Sequence, residues 1–395
     1  MKITFYSNFM NHHQLEFCNY LYENLGDNFT FVATEKLPQE RVELGYEELN
    51  DKCKYVLKEY LSKENKTLAM ELALDSDVVI HGSASELYVC ERMKLNKLTF
   101  RYTERLYKRG RWRAFTPKNM IYMFKNHFKY LNKPLYVLCA SAYAASDFSL
   151  TKCYKNKLFK WGYFPKFISH DIDKLMLSKL SGKINILWCG RFLEWKHPEK
   201  MILLAKKLLS RGYDFHINMI GTGKLYKDIK QAIEKNGLSE NISLLGSMSP
   251  LRVREYMEVS NIYLFTSNYE EGWGAVLNEA MNSCCAVVAS HAIGSVPFLI
   301  NHGINGLIYN NDNNEDMFAQ VERFLLDKEL RHKCSINSYY TIKNIWNAKH
   351  SALAFLKLSN NLLKNNLNEI TNGPCSKANS ISQSNMYAHV INHEL

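Results

Sequence analysis

The segment EEGWGAVLNEAM, residues 270–281, sets Glu271 and Glu279 on either side of Gly272, Trp273, Gly274 and Ala275. It follows an apolar run, 262–267, that reads as a strand, and it leads into a helix expected to start near Ala275. Glycines in such a loop let backbone N–H groups approach a ligand closely. The helix N-terminus adds partial positive charge suited to phosphate or an oxyanion. Carboxylates accept paired hydrogen bonds from vicinal hydroxyls. Together these features suit a ligand that carries both a phosphate and sugar hydroxyls. Two glutamates at this spacing are more often solvated or ion-paired, but Gly-Trp-Gly between a strand and a helix turns the reading toward binding.

Three more strand-end loops carry matching chemistry. In CGRFLEWKHPEK (189–200), Arg191 offers a planar fork and Lys196 a point charge to phosphate oxygens. MIGTGKLY (219–226) is a Gly-x-Gly turn at Gly221 that lacks the third glycine of a dinucleotide fingerprint, so alone it is a weak signal. LGSMSP (245–250) ends a strand, with Met248 placed to hold a flat base. Nearer the N-terminus, His12 and His13 lie in the first strand-to-helix loop, and His81 ends the run 77–82. Two Asp-x-Asp triplets occur. Asp75–Asp77 reads as a strand-entry turn and Asp171–Asp173 as part of a linker, so no metal site is expected.

In this order, the four C-terminal pieces resemble the retaining nucleotide-sugar glycosyltransferases of family four, the group 1 type. The resemblance covers most of residues 1–358 in architecture, and its specific motifs lie in 185–300. It implies an α/β protein of two Rossmann-like, doubly wound parallel-sheet domains facing a central cleft, the glycosyltransferase-B fold. It further implies that Arg191 and Lys196 hold the donor diphosphate, that Glu279 binds the ribose, and that Met248 sits by the base. Glu271, with backbone around Gly272, Trp273, Gly274 and Ala275, would hold the transferred sugar, and Gly221 would line the donor site. Glu271, Arg191 and Lys196 are the catalytic candidates. The implied reaction retains anomeric configuration, uses a nucleotide-diphosphate sugar as donor substrate, and needs no cofactor or metal. The family often has a histidine after the strand corresponding to 98–103. Here Glu104 stands in its place with Arg105 beside it, so the acceptor-side candidates are His12, His13, His81, Glu104 and Arg105.

The elements that must position these residues are legible as alternating strands and helices. Strands are expected at 2–7, 29–34, 77–82, 98–103 and 135–141, then at 185–189, 215–220, 242–246, 262–267, 285–290 and 306–309. Helices are expected at 12–26, 198–210, 224–236 and 250–259. Short strands spaced for crossover helices signal parallel sheets. The boundaries expected are 1–165 for an acceptor domain, 183–345 for a donor domain, 346–358 for a helix packing back, and 359–395 for a disordered polar tail. Nine of those last residues are asparagine.

The formal net charge is +11, and thirteen Lys or Arg with one acid fall in 92–133, which leaves the rest of the chain near balance. Within 105–133, Met120, Phe124, Phe128 and Leu131 recur at helical spacing among the cations. That pattern suits an interfacial helix on anionic lipid, or an ordinary core-facing stripe under a solvated basic face. Nucleic acid is not the expected partner. A nucleic-acid binder would leave Arg191, Lys196, Glu271 and Glu279 without a role, and an epimerase or hydrolase on the same scaffold would need an acid/base pair that the loops do not offer. The expected partners are a nucleotide sugar, a glycan or lipid-linked acceptor, and an anionic membrane surface. The setting is surface polysaccharide assembly. Ten cysteines without a C-x-x-C pair, several in apolar runs, read as reduced and buried. With an opening strand instead of a leader, they suggest a cytoplasmic protein, peripheral on the inner face of the plasma membrane.

Overall fold

The computed structural model describes residues 1–43, 47–180, 182–366, 368–381 and 386–392. Two compact units emerge, one of Met1–Lys166 with Ile345–Ile381, the other of Phe167–Asn344 with the short helix Met386–Ile391.

The first unit is built on seven parallel strands: β1 (Ile3–Ser7), β2 (Phe29–Ala33), β3 (Val56–Lys58), β4 (Val78–His81), β5 (Thr99–Thr103), β6 (Leu135–Cys139) and β7 (Leu158–Lys160). Their order is β3-β2-β1-β4-β5-β6-β7, so Ile3 of β1 pairs with Phe29 on one side and Val78 on the other. Every residue of β1 and β4 is buried, as expected when a parallel sheet is covered on both faces. The helix His12–Leu25 starts where the Asn11 side chain accepts the His13 N–H at 3.0 Å. It buries Phe17 against Phe355 of the helix Ala348–Leu363, with ring centres 6.1 Å apart.

Arg92, fully buried, ties the entry to this sheet. Its guanidinium donates to the carbonyls of Ala73, Ser76, Asp77 and Leu98 and to the Thr99 hydroxyl at 2.5–3.2 Å. One cation of the basic segment is thereby spent on the fold. Arg101 is another, held in a two-pronged pair with Glu86 at 2.7 Å.

The second unit has six parallel strands: β8 (Ile184–Cys189), β9 (Phe215–Ile220), β10 (Ile242–Leu244), β11 (Ile262–Phe265), β12 (Ala286–Ser290) and β13 (Leu307–Tyr309), in the order β10-β9-β8-β11-β12-β13. Its core gathers Ile186, Trp188, Met219, Leu264, Val288 and Phe324. Strand order reverses between β8 and β11, where Ile186 pairs with Ile262. In open α/β sheets ligands bind outside the carboxyl ends of the strands at such a reversal.

Two strands, β3 and β7, were not expected. Each is three residues long, half-buried, and at a sheet edge, so neither shows an apolar run or an alternation. The tail after 359 also departs from the expected disorder. Cys375, Ala378 and Ile381 are buried, and the backbones of Lys160 and Cys375–Ser376 exchange hydrogen bonds of 2.7 and 2.8 Å. The asparagines raise polarity on average, but the few apolar residues between them find a core. Further on, Met386 and Val390 are buried, and the Tyr387 hydroxyl donates to Asp316 at 2.7 Å.

Candidate functional site

At the reversal of the second sheet, the chain leaves β8 through Gly190 to Lys196 and leaves β11 through Thr266 to Ala275. Buried hydrogen bonds lock the two loops together. Trp188 Nε1 donates to Thr266 Oγ1 at 2.9 Å, that hydroxyl donates to the Lys196 carbonyl at 2.6 Å, and the Asn268 N–H donates to the Trp195 carbonyl at 3.0 Å. The side chains then meet. The Lys196 ammonium is paired directly with the Glu271 carboxylate, with 12% and 10% of the two side chains exposed. The ammonium also lies 4.4 Å from the Trp195 ring centre.

Gly274 follows at φ 83°, where a Cβ would fall 2.5 Å from the Phe265 ring. The helix Val276–Asn282 opens at Ala275 with no side-chain cap. One turn in, Glu279 lies 3.8 Å from Arg254 Nε, and the same guanidinium donates to the Glu279 carbonyl at 3.1 Å. Burial raises the Glu279 pKa above the ordinary carboxylate range, and the Arg254 charge opposes that rise. Cys189, at the end of β8, is pushed up to about 12 by burial, with the Glu279 charge adding to the rise and Lys196 opposing it. Glu271 and Glu279 both raise the Tyr263 hydroxyl pKa, after burial itself. Cys189 and Tyr263 thus lie in a small buried region at the carboxyl ends of β8 and β11, near enough to feel charges from Glu279 on both, Lys196 on Cys189 and Glu271 on Tyr263.

Neighbouring loops are stitched onto this region. Gly190 N–H donates to the Ile220 carbonyl at 3.0 Å, and Gly221 N–H to the Gly246 carbonyl at 2.7 Å. Gly221, at φ 129°, backs onto Gly190 so tightly that a Cβ would sit 2.0 Å from its carbonyl oxygen. Packing alone thus requires glycine there, independent of any ligand. Met248 is half-buried in the loop after β10.

The other expected residues sort plainly. Arg191 is exposed, and among the described residues its guanidinium has no side-chain partner. Gly272 is buried. Trp273 is a core residue: fully buried, it donates Nε1–H to Asn278 at 2.9 Å, so only its backbone can face a ligand. Arg254 was missed because nothing in PLRVREYMEV tells which of its two arginines, Arg252 or Arg254, turns inward. Both Asp-x-Asp triplets serve the fold. Asp75 and Asp77 bind the Lys2 ammonium and N–H at 2.6 and 2.8 Å, and Asp171 caps the helix Ile172–Ser178. Among the described residues, no three His, Cys, Asp or Glu side chains gather as metal ligands.

In the first unit the order reverses between β1 and β4. His13 stacks on Tyr163, with ring centres 5.3 Å apart and planes 9° apart, and the His12 ring lies 3.7 Å from that of His13. The Tyr163 hydroxyl donates to Glu104, which also pairs with Lys108. Burial lowers His12 to about 4, with Arg41 adding to the effect, so its imidazole is neutral near pH 7. His13 and Glu104 thus belong to one cluster joined by Tyr163, which lies at the end of the expected acceptor domain and carries no motif. His81 and Arg105 do not join it. His81 is buried with Nε2 3.0 Å from the Ser85 carbonyl, and Arg105 is buried 3.5 Å from Asp147.

The helix Pro117–Asn126 presents a different face from the core-facing reading. Met123 packs inward, while Met120, Ile121 and Phe124 are exposed, as are Trp112 and Phe115 just before it. Phe128 lies beyond the helix in a short turn, Phe128–Tyr130. Exposed Arg109, Arg113, Lys118 and Lys125 are interspersed with the apolar residues. Among the described residues no helix is long and apolar enough to cross a membrane.

Residues 173–341 match the family model described as "Glycosyl transferases group 1". This segment is a group 1 glycosyltransferase domain. An uncharacterized glycosyltransferase of Methanocaldococcus jannaschii is 32% identical over 196 residues, 49% of this chain and 51% of the relative, so the match spans about half of that protein's length. A Campylobacter jejuni protein is 24% identical over 295 residues, 71% of this chain and 75% of the relative. It is named N-acetylgalactosamine-N,N'-diacetylbacillosaminyl-diphospho-undecaprenol 4-alpha-N-acetylgalactosaminyltransferase. The structure of Anabaena HepE in complex with UDP has a TM-score of 0.68 at 15% identity, covering 91% of this chain and 100% of HepE. That likeness concerns the fold, and the fold class is glycosyltransferase-B, two parallel-sheet α/β units. The buried Lys196–Glu271 pair and Glu279 all lie inside the group 1 glycosyltransferase domain.

The contact of Gly221 with Gly190 gives a direct test of how the domain's loops are built. Gly221→Ala should destabilise the protein by about 1–3 kcal/mol, because the backbone is at positive φ and the methyl group meets a carbonyl that has no room to retreat. Urea unfolding measures it, and an unchanged midpoint would mean the loops are not packed as described.

Proposed function

We propose that the protein transfers a sugar from a nucleotide-diphosphate donor to a glycan or lipid-linked acceptor, with retention at the anomeric carbon. The observation that carries the reading is the buried meeting of Lys196 and Glu271 at the strand-order reversal of a group 1 glycosyltransferase domain. Lys196 and the exposed Arg191 engage the diphosphate. Glu279 accepts the ribose hydroxyls, Met248 lies by the base, and Glu271 with the backbone of Gly274 and Ala275 holds the sugar. As the bond from the anomeric carbon to the phosphate oxygen breaks, its electron pair goes to the diphosphate. The two cations and the uncapped start of the helix Val276–Asn282 stabilise that charge, without a metal. The sugar becomes oxocarbenium-like, and the acceptor hydroxyl oxygen bonds to the same face as its proton passes to the departing diphosphate oxygen. In the first unit, the cluster of His13, Tyr163 and Glu104 offers hydrogen-bonding groups to an acceptor.

The acceptor proposed is lipid-linked, in the assembly of a surface polysaccharide, with the protein peripheral on the cytoplasmic face of the membrane. Support comes from the Campylobacter relative, whose name includes a diphospho-undecaprenol, and from the outward apolar and cationic face around Pro117–Asn126. Each cation near an anionic bilayer contributes about 1 kcal/mol, and the exposed aromatic rings insert at the headgroup level.

Two outcomes test this reading. A panel of nucleotide sugars screened by thermal shift identifies the donor, since a ligand stabilises the form that binds it. For that donor, Glu279→Gln should weaken binding by about 2 kcal/mol, roughly 30-fold, through loss of charge-assisted hydrogen bonds. Because the Glu279 pKa is raised above 4.5, its carboxylate takes up a proton sooner on acidification than a solvated glutamate does. Wild-type donor affinity should therefore fall with decreasing pH before an ordinary glutamate would titrate, and E279Q should lack this limb. Equal affinities and equal pH profiles would remove Glu279 from the donor site. Separately, the protein should float with vesicles containing anionic lipid and not with neutral ones, and Trp112→Ser with Phe124→Ser should abolish flotation. Flotation that ignores both changes would remove the membrane face.

A further inference from the structure

A cavity of about 290 Å³ opens in the first unit between the loop 151–157 and the segment around Lys377–Ser380. Lys152, Lys155 and Lys377 line it, with no acidic residue in its wall. Among the described residues none of the three ammonium groups has an acidic partner. Three unneutralised cations around one concavity raise the local concentration of an anion.

The backbone of the same loop is shaped to match. Lys152, Tyr154 and Asn156, alternate residues and none of them glycine, all take positive φ, at 53°, 59° and 61°. Left-handed conformations next to ordinary ones turn successive N–H groups to one side, making a concave anion receptor. The N–H groups of Tyr154, Lys155 and Asn156 donate to no acceptor among the described residues. Lys152, Lys155 and Asn156 are exposed, so these amides are open to an incoming ligand, and left-handed backbone at non-glycine residues persists where the surroundings or a ligand sustain it. The Ser380 hydroxyl adds a further polar group at the rim.

Ala145, Leu158 and Ala378 supply an apolar part of the wall, beside the polar Ser149 and Asn156. Tyr154 shares its hydroxyl with His127 at 2.8 Å, and His127 caps the outward-facing helix Pro117–Asn126. We propose that this cavity binds a phosphoryl group carried on a short apolar stem, the head on the lysines and loop amides and the stem on the apolar wall. The inference does not rest on the donor site, which belongs to the other unit.

Lysine acylation followed by mass spectrometry tests it residue by residue, so binding elsewhere does not confuse the result. Two probes separate the sources: inorganic phosphate for a free anion, and hexyl phosphate for a headgroup with its stem. At roughly ten times the dissociation constant, modification of Lys152, Lys155 and Lys377 should fall about tenfold, while the exposed Lys206 and Lys235 react as before. Protection by hexyl phosphate alone, or by both probes with hexyl phosphate at lower concentration, supports the proposal and assigns a lipid-like source. Protection by inorganic phosphate alone, equal protection of all five lysines, or none, overturns it. The exposed triple variant Lys152→Gln, Lys155→Gln, Lys377→Gln should lose hexyl phosphate binding in equilibrium dialysis with its thermal midpoint nearly unchanged. Undiminished binding in this variant overturns the proposal as well.

Discussion

Lys196 and Glu271 meet with about a tenth of either side chain exposed. Removing two charges from water costs several kcal/mol per ion, and mutual attraction offsets this only with good geometry and further hydrogen bonds. The surrounding structure is arranged to hold the pair in place. Trp188 fixes Thr266, Thr266 fixes the Lys196 backbone, Asn268 holds Trp195, and the Glu271 carbonyl accepts the Gly294 N–H at 3.3 Å. A stability argument for so buried a pair is weak, since an apolar replacement is often as stable. Under the proposed function, a diphosphate taking the ammonium and a sugar hydroxyl taking the carboxylate would give each charge a reason to remain.

The two glutamates of the loop and helix have distinct electrostatic settings. Glu271 faces a lysine on a mobile stem, which a ligand can compete for. Glu279 is held by Arg254, itself buried and anchored to the Asn282 side chain at 3.1 Å. Arg254 opposes the effect of burial on Glu279, favouring its charged form. The first unit repeats the theme with different parts. Glu104 is held between a lysine and a tyrosine, and the tyrosine is stacked on His13, itself beside the neutral His12.

Much of this was legible before any coordinates. Most of the eleven strands read from the sequence carry buried apolar runs, β10 being a short, partly buried edge, and the two missed are short edges where burial is partial. Glu271, Lys196 and Glu279 stood out because glycines and strand ends surround them, and the fold brings Lys196 and Glu271 into contact. What escaped detection depends on contacts between distant segments. Arg254 lies 25 residues from Glu279, and Tyr163 lies 59 residues from Glu104. Composition misled in the tail, where an asparagine-rich average concealed Cys375, Ala378 and Ile381, each with a buried place to go. Periodicity left Met120 and Phe124 open between two readings, since helical spacing gives an apolar face and does not say whether protein or something else covers it; both are exposed.

The central claim is that the loops after β8 and β11 form the grip for a diphosphate sugar. A crystal structure of the full chain with its nucleotide-sugar donor tests this most directly. The account predicts the diphosphate within hydrogen-bonding distance of Lys196 Nζ and the backbone N–H groups near Gly274 and Ala275, with a sugar hydroxyl on Glu271 and the ribose on Glu279. A donor bound elsewhere, with Lys196 and Glu271 still closed on each other, would contradict it.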